Sequence, residues 1–128
     1  MALTAYQLDP NGFPRANNNI GIPIPFDPNA TAVGAANAAV SLQINTDNDK
    51  FIEIDQIDYS YSAAPVGGGI QVLDGATVLW QRDIVNAADS IYFMQPRSGG
   101  KGRSLTITLA AGGGSAVGKI NVCAWARK

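Results

Sequence analysis

Few side chains in this chain can do chemistry, and their spacing is unhelpful to most of it. Among 128 residues there is one Cys and no His. Without imidazole neither a Ser–His nor a Cys–His nucleophilic pair can be assembled, nor a His–Cys zinc site, and a single Cys cannot close an intramolecular disulfide. Carboxylates remain. The run Asn45-Thr46-Asp47-Asn48-Asp49 offers alternating oxygen ligands that look like the opening of a calcium loop. The EF-hand pattern asks for Gly at its sixth position and Glu at its twelfth; counted from Asp47, these are Ile52 and Asp58. An Asx-type turn between two strands is therefore expected, with no metal site. Glu53, Asp55 and Asp58 fall in one strand, and Glu53 and Asp55 share the face opposite the isoleucines, where a solvated polar face places them. No acid–base pair is assigned to them, so the expectation is a protein that is not an enzyme and uses no cofactor.

Three other features bear on binding. The loop Arg97-Ser98-Gly99-Gly100-Lys101-Gly102-Arg103-Ser104 is the one local concentration of positive charge. It departs from a P-loop because Lys101 is followed by Gly102 and a strand rather than by Ser or Thr and a helix. It reads as an exposed hairpin loop whose Arg97, Lys101 and Arg103 face any acidic partner surface. Cys123 shares a strand face with Trp125 and is expected to pack as a small hydrophobe. Trp80, Trp125, Tyr59, Tyr61 and Tyr92 are the aromatics from which a sugar-stacking platform could be built, and sequence does not say which of them are exposed.

Composition narrows the partners. The net charge is −1 and only 15% of residues are charged, with the basic ones scattered, so there is no cationic surface for a phosphate backbone and nucleic acid is not expected. The opening MALTAYQLDP lacks the charged and apolar regions of a signal peptide, so synthesis in the cytoplasm is expected. The longest uncharged stretch, Pro28 to Thr46, is too rich in Asn, Ser and Gln for a bilayer span, so no membrane partner is expected. A small-molecule ligand is not expected either.

The elements that must position these residues are strands. Five of the seven prolines lie before residue 30 (Pro10, Pro14, Pro23, Pro25, Pro28), so residues 1–30 read as an extended arm, barred from long helix and from a central strand. Within it Ile20, Ile22, Ile24 and Phe26 alternate with Gly21, Pro23 and Pro25, an apolar edge that something must cover. Its own domain or a neighbouring subunit would serve; the second is preferred because a stiff segment loses little entropy on docking. Residues 31–128 read as one β-sandwich domain. Val40, Leu42 and Ile44 alternate with polar residues, and Phe51 to Ser62 does the same with a phase slip near Gln56, which predicts a bulge. Asp74-Gly75 between two apolar runs predicts a hairpin. Further strands are expected near 90–95, 105–109 and 119–127, about seven in all, and a helical turn is conceivable at 83–88. No sustained 3.6-residue period occurs. The fold expected is all-β, an antiparallel β-sandwich of jelly-roll type with an extended N-terminal arm.

The segments GIQVLDGATVLWQRDI and FMQPRSGGKGRSLTITLAAGGGSAVGKINVCAWARK resemble a group of small tailed-bacteriophage virion proteins of the capsid decoration or cement type. The shared plan is a DG hairpin, a Gly-rich loop, an LTITLAAGG-like strand and a VGKINV-like end, and it covers roughly Ile57 to Arg127. The resemblance implies a jelly-roll protein on the outer capsid surface that bridges capsomers as an oligomer, a trimer being favoured, with the major capsid protein as partner. It names no active-site residues. On this reading Ile20, Ile22, Ile24 and Phe26 carry the arm's contact. The alternative is a phage fibre, receptor-binding or carbohydrate-binding β-sandwich module.

Overall fold

In a computed structural model the structure describes residues 24–25 and 30–127. Every regular element among them is a strand: β1 (Ile24–Pro25), β2 (Ala30–Ala36), β3 (Val40–Ile44), β4 (Phe51–Tyr61), β5 (Gly69–Asp74), β6 (Thr77–Asp83), β7 (Ala88–Ser98), β8 (Leu105–Leu109) and β9 (Val117–Arg127). One local signal organises them. Asp74-Gly75 reverses the chain, with Gly75 at φ +61°, a left-handed value that a residue with a Cβ adopts only under strain. From that reversal the two halves of the chain pair outward: β5 with β6, β4 with β7, β3 with β8, and β2 and β1 with β9, all antiparallel. The midpoint of each paired couple of residues falls between positions 74 and 77, from Asp74↔Thr77 to Ile24↔Ala126. The protein is one long hairpin folded onto itself.

Successive couples fall in alternate sheets. One sheet has the order β2-β9-β4-β7, with β1 also beside β9; the other has β3-β8-β5-β6. The cross-links β4–β9 and β5–β8 close each sheet laterally. The antiparallel β-sandwich expected from the alternation is thus the architecture, and its core lies between the sheets. Ile52, Ile54, Ile57, Ile120 and Val122 from the first sheet meet Ile70, Val72, Leu105, Ile107 and Leu109 from the second, all with less than 2% exposure. The slip near Gln56 is a bulge: β4 shifts register between Ile54 and Gln56 against both neighbours. On β7, the four residues Phe93 to Pro96 stand opposite the single Asp55.

Two local expectations change. Residues 30–36, where the alternation places no strand, form β2 beside β9, and the small Gly34 leaves room for Val40 of β3, whose side chain a Cβ there would approach to 2.7 Å. Residues 84–87 form a bend between the sheets and not a helical turn. Of the arm, Ile20, Ile22 and Phe26 lie outside the described residues, and Ile24 pairs through its backbone with Ala126.

The sandwich is fastened at one flank and at one end by different means. Along β6 and β7, which are edge strands of opposite sheets, Arg82 pairs with Asp89 and the Trp80 and Phe93 rings meet edge to face at 5.0 Å and 89°. The Arg97 guanidinium sits 5.3 Å from the Phe93 centroid. At the end holding loops 62–68, 84–87 and 110–116, Tyr61 donates its hydroxyl to the Ala110 carbonyl at 2.6 Å and Tyr59 donates to that of Asn86 at 3.2 Å. Gly112 lies against the Tyr61 ring, where a Cβ would approach to 2.7 Å.

Burial, and then the neighbouring Tyr59, raise the Tyr61 phenol above its ordinary value of 10.0. Below that pH the group is neutral folded and unfolded and adds no pH dependence. Above it the unfolded phenol ionises first, so the contribution is lost as pH rises through the folded value. Tyr61→Phe should lower stability by about 1 kcal/mol at neutral pH and flatten the alkaline loss. Denaturant midpoints measured from about pH 8 to about pH 11 check both. A double-mutant cycle on Trp80→Ala and Phe93→Ala should return a coupling of about 1 kcal/mol; independent effects would show that the flank is not fastened by this ring pair.

Candidate functional site

The outer face of the first sheet collects polar side chains in rows. After its bulge β4 turns Ile57, Tyr59 and Tyr61 inward, so Gln56, Asp58 and Ser60 point outward. On β9, Ile120 and Val122 are buried, which sends Lys119, Asn121 and Cys123 out; on β7 buried Ile91 sends Ser90 and Tyr92 out. Pairing aligns them across the sheet as Tyr92–Gln56–Cys123, then Ser90–Asp58–Asn121, then Ala88–Ser60–Lys119. Gln56 donates its amide to Asp58 Oδ1 at 3.0 Å. Beside it lies a shallow depression of about 300 Å³ lined by Asp58, Tyr59, Ser60, Ala88, Asp89, Ser90 and Asn121. Of the five aromatics considered for a platform, Tyr59 and Tyr61 are core residues, Trp80 is packed on Phe93 and Trp125 is half-buried. Tyr92 is 70% exposed, and its hydroxyl has no protein partner among the described residues.

The other outer face carries Ser41, Gln43, Gln71, Thr106 and Thr108. A wider hollow of about 620 Å³ opens there over Ala39, Gly69, Gln71, Gln81 and Thr108. Gln71 donates to Gln81 across it at 2.9 Å, so the hollow's amides already bind each other.

The basic loop is not a single patch of free charge. Arg97 folds over Phe93, and its Nε is buried without a hydrogen-bond partner. Arg103 donates through Nε to Asp74 Oδ1 at 2.6 Å, tying the loop to the hairpin turn. Lys101 stands exposed at the tip and, alone of the three, has neither an ion pair nor a ring contact among the described residues. The acidic turn is likewise engaged: Lys50 Nζ lies 3.1 Å from Asp47 Oδ2, and the Lys50 carbonyl accepts from the Gly102 amide. Among the described residues no group of three or more His, Cys, Asp or Glu is placed to hold a metal. Ion pairs among the described residues include Lys50–Asp47, Arg82–Asp89, Arg103–Asp74 and Arg127–Glu53.

Cys123 is a correction. It was expected in the core, yet it is exposed on the outer face. The inward set of β9 is Gly118, Ile120, Val122, Ala124 and Ala126, and a strand's period of two leaves Cys123 no other side. What sequence reasoning missed is the row partnership of Tyr92 with Gln56, Asp58 and Asn121. The signal was present as polar residues at every second position of three strands, but their alignment depends on the bulge at Asp55.

No family model matches the chain, and no curated protein does. Among solved structures it is similar to part of the crystal structure of the insecticidal delta-endotoxin Cry8Ea1 from Bacillus thuringiensis, with 17% identity and a TM-score of 0.41. The match covers 89% of this chain and 22% of the toxin, so the chain spans about a fifth of that protein's length. Nothing of the toxin's activity carries over at that level of likeness.

With the thiol outside, Cys123 should react completely with a thiol-specific reagent in the absence of denaturant. Labelling that proceeds only at the rate of unfolding would put the side chain back in the core.

Proposed function

We propose that the protein is a structural virion protein of the capsid decoration type, which seats on the outer shell of a tailed bacteriophage and bridges neighbouring capsomers. The nested strand order is read here as a jelly roll. The observation that supports the role is the placement of contact elements at opposite ends of a rigid body. One end is apolar: the β4–β5 loop carries Ala63, Ala64, Pro65 and Val66, the β6–β7 loop carries Val85, and Val66 and Val85 are 84% and 79% exposed. These loops are held together, since Tyr61 donates its amide to Ala87, Val66 to Gly112 and Ile84 to Gly68. The arm joins the opposite end, where Ile24 and Pro25 pair with Ala126 and Trp125. From Trp125 to Val117 is about 27 Å along β9. A body with one sticky end and an apolar arm rooted at the other is shaped to join two partners.

In this reading the apolar end sits on one capsomer and the arm, through Ile20, Ile22, Ile24 and Phe26, reaches a sister subunit or the next capsomer. The charged end presents exposed Lys101 to an acidic side chain of the major capsid protein, with Arg97 packed on Phe93 and Arg103 paired with Asp74 to fix its loop. A homotrimer, made in the host cytoplasm, would repeat these contacts around a three-fold or quasi-three-fold position on the shell.

The test is co-sedimentation of the full chain with expanded tailed-phage heads stripped of their decoration protein, alongside light scattering on a sizing column. The parent should bind the heads and run as a trimer. Changing Ile20, Ile22, Ile24 and Phe26 together to Ser should reduce occupancy by roughly 100-fold or more, since these four side chains have the most apolar area to offer a partner. Val66→Ser with Val85→Ser should reduce it independently. Unchanged occupancy in both variants, or a parent that is monomeric and binds no head, would overturn the reading.

A further inference from the structure

We propose that the outer face of β7, β4 and β9 is a saccharide-binding site, in which a neutral sugar ring stacks on Tyr92 while Asp58, Ser90 and Asn121 bind its hydroxyls. The site uses neither the apolar end nor the arm, so it stands whatever becomes of the capsid reading.

Four observations carry it. Tyr92 presents a ring to solvent from the outer face of edge strand β7, where the other outward positions in its row, Gln56 and Cys123, are small or polar. An aromatic left exposed beside a polar hollow suits a ligand with one apolar face and a polar rim, and a pyranose has both. Secondly, Tyr92 and Ser90 are neighbours on one face of β7, about 7 Å apart, so a ring over Tyr92 places its rim over the Asp58 depression. Thirdly, the depression's donor and acceptor types are mixed. Gln56 occupies Asp58 Oδ1 and leaves Oδ2 to accept, the Asn121 amide has no hydrogen-bond partner among the described residues and can both give and receive, and the Ser60 and Ser90 hydroxyls do the same. Vicinal hydroxyls, each a donor and an acceptor, match that set.

The fourth is charge. The residues lining the depression include two acidic ones, Asp58 on the outer face and Asp89, whose carboxylate turns into the flank toward Arg82, and no cation. Asp89 is neutralised by Arg82, while among the described residues Asp58 is held by a neutral amide and by no cation. Lys119 stands one row away, opposite Ser60. The local balance therefore disfavours acidic sugars and phosphate and selects neutral rings. A volume of about 300 Å³ open to solvent sets the scale at one or two rings, and a shallow site of that kind binds a single ring with a Kd on the order of 1 mM.

Saturation-transfer NMR and titration on the full chain would use the methyl glycosides of glucose, galactose, mannose and N-acetylglucosamine, with glucuronic acid and inorganic phosphate as charged comparators. At least one neutral glycoside should bind, with saturation strongest on its C–H protons. Tyr92→Ala should weaken that binding about tenfold or more with an unchanged melting temperature, since the side chain is exposed, whereas Tyr92→Phe keeps the ring and the affinity. Asp58→Asn and Asn121→Ala should each weaken it as well. Absence of binding by all four neutral glycosides, affinity that survives Tyr92→Ala, or equal binding of glucuronic acid or phosphate would overturn the proposal.

Discussion

The reversal at Asp74-Gly75 is the constraint on which the other strand pairings hang. Because every couple of strands closes about the same point, a slip of one residue at the turn would propagate outward and turn whole strands over, core face to solvent. The chain does not keep perfect register around that point; it corrects it. Ile52 and Ile54 occupy even positions while Ile57, Tyr59 and Tyr61 occupy odd ones, and all five are buried. Only the bulge at Asp55 lets both sets face the same core, and the compensating excursion on the partner strand is Phe93 to Pro96. The bulge thus aims the outer face too, since it brings Gln56 and Asp58 into line with Tyr92 and Ser90.

Folding a single hairpin into two sheets leaves flanks that backbone pairing cannot close. β6 and β7 have no further strand beside them, and β-sandwiches must blunt such edges against pairing with other chains. Here the excursion with Pro96 interrupts β7, and the side chains turned into the flank bind each other: Arg82 with Asp89, Trp80 with Phe93, Phe93 with Arg97. Arg97 is better understood by this packing than by its membership of a basic loop. Its guanidinium lies over a ring and its Nε is buried without a hydrogen-bond partner, so it fastens the base of the loop on whose tip Lys101 stands exposed.

Features set by near neighbours were legible in the sequence. The turn at Asp74-Gly75, the alternation of Val40, Leu42 and Ile44, and the phase slip near Gln56 each depend on residues within a few positions, and each has its counterpart in the structure. What was illegible depends on distant ones. β2 has small residues where a strand ordinarily shows β-branched ones, and it is a strand because β9 offers it a partner. Cys123 looked apolar enough for the core, but the heavier pair Ile120 and Val122 decide the phase of β9, and Ala124 and Ala126 continue their side. The depression at Asp58 joins residues from three strands up to 63 positions apart, Asp58 to Asn121, so no local pattern announces it.

Magnitudes favour several weak contacts over one strong one in the proposed role. Burying a valine yields about 1.5–3 kcal/mol, so Val66 and Val85 together supply about 3–6 kcal/mol. Loss of translational and rotational freedom on association costs an estimated 4–15 kcal/mol. A single body seated by that end alone would therefore dissociate readily. Copies joined to one another face the shell as a unit, and after the first end seats, the others bind at an effective concentration set by the oligomer. The arm, rooted at Ile24–Pro25 on the far end of β9, has the position needed to make that joint without occupying the surface that docks. The same logic would extend to the proposed side-face site, where weak single-ring affinity at Tyr92 would gain from many copies displayed together.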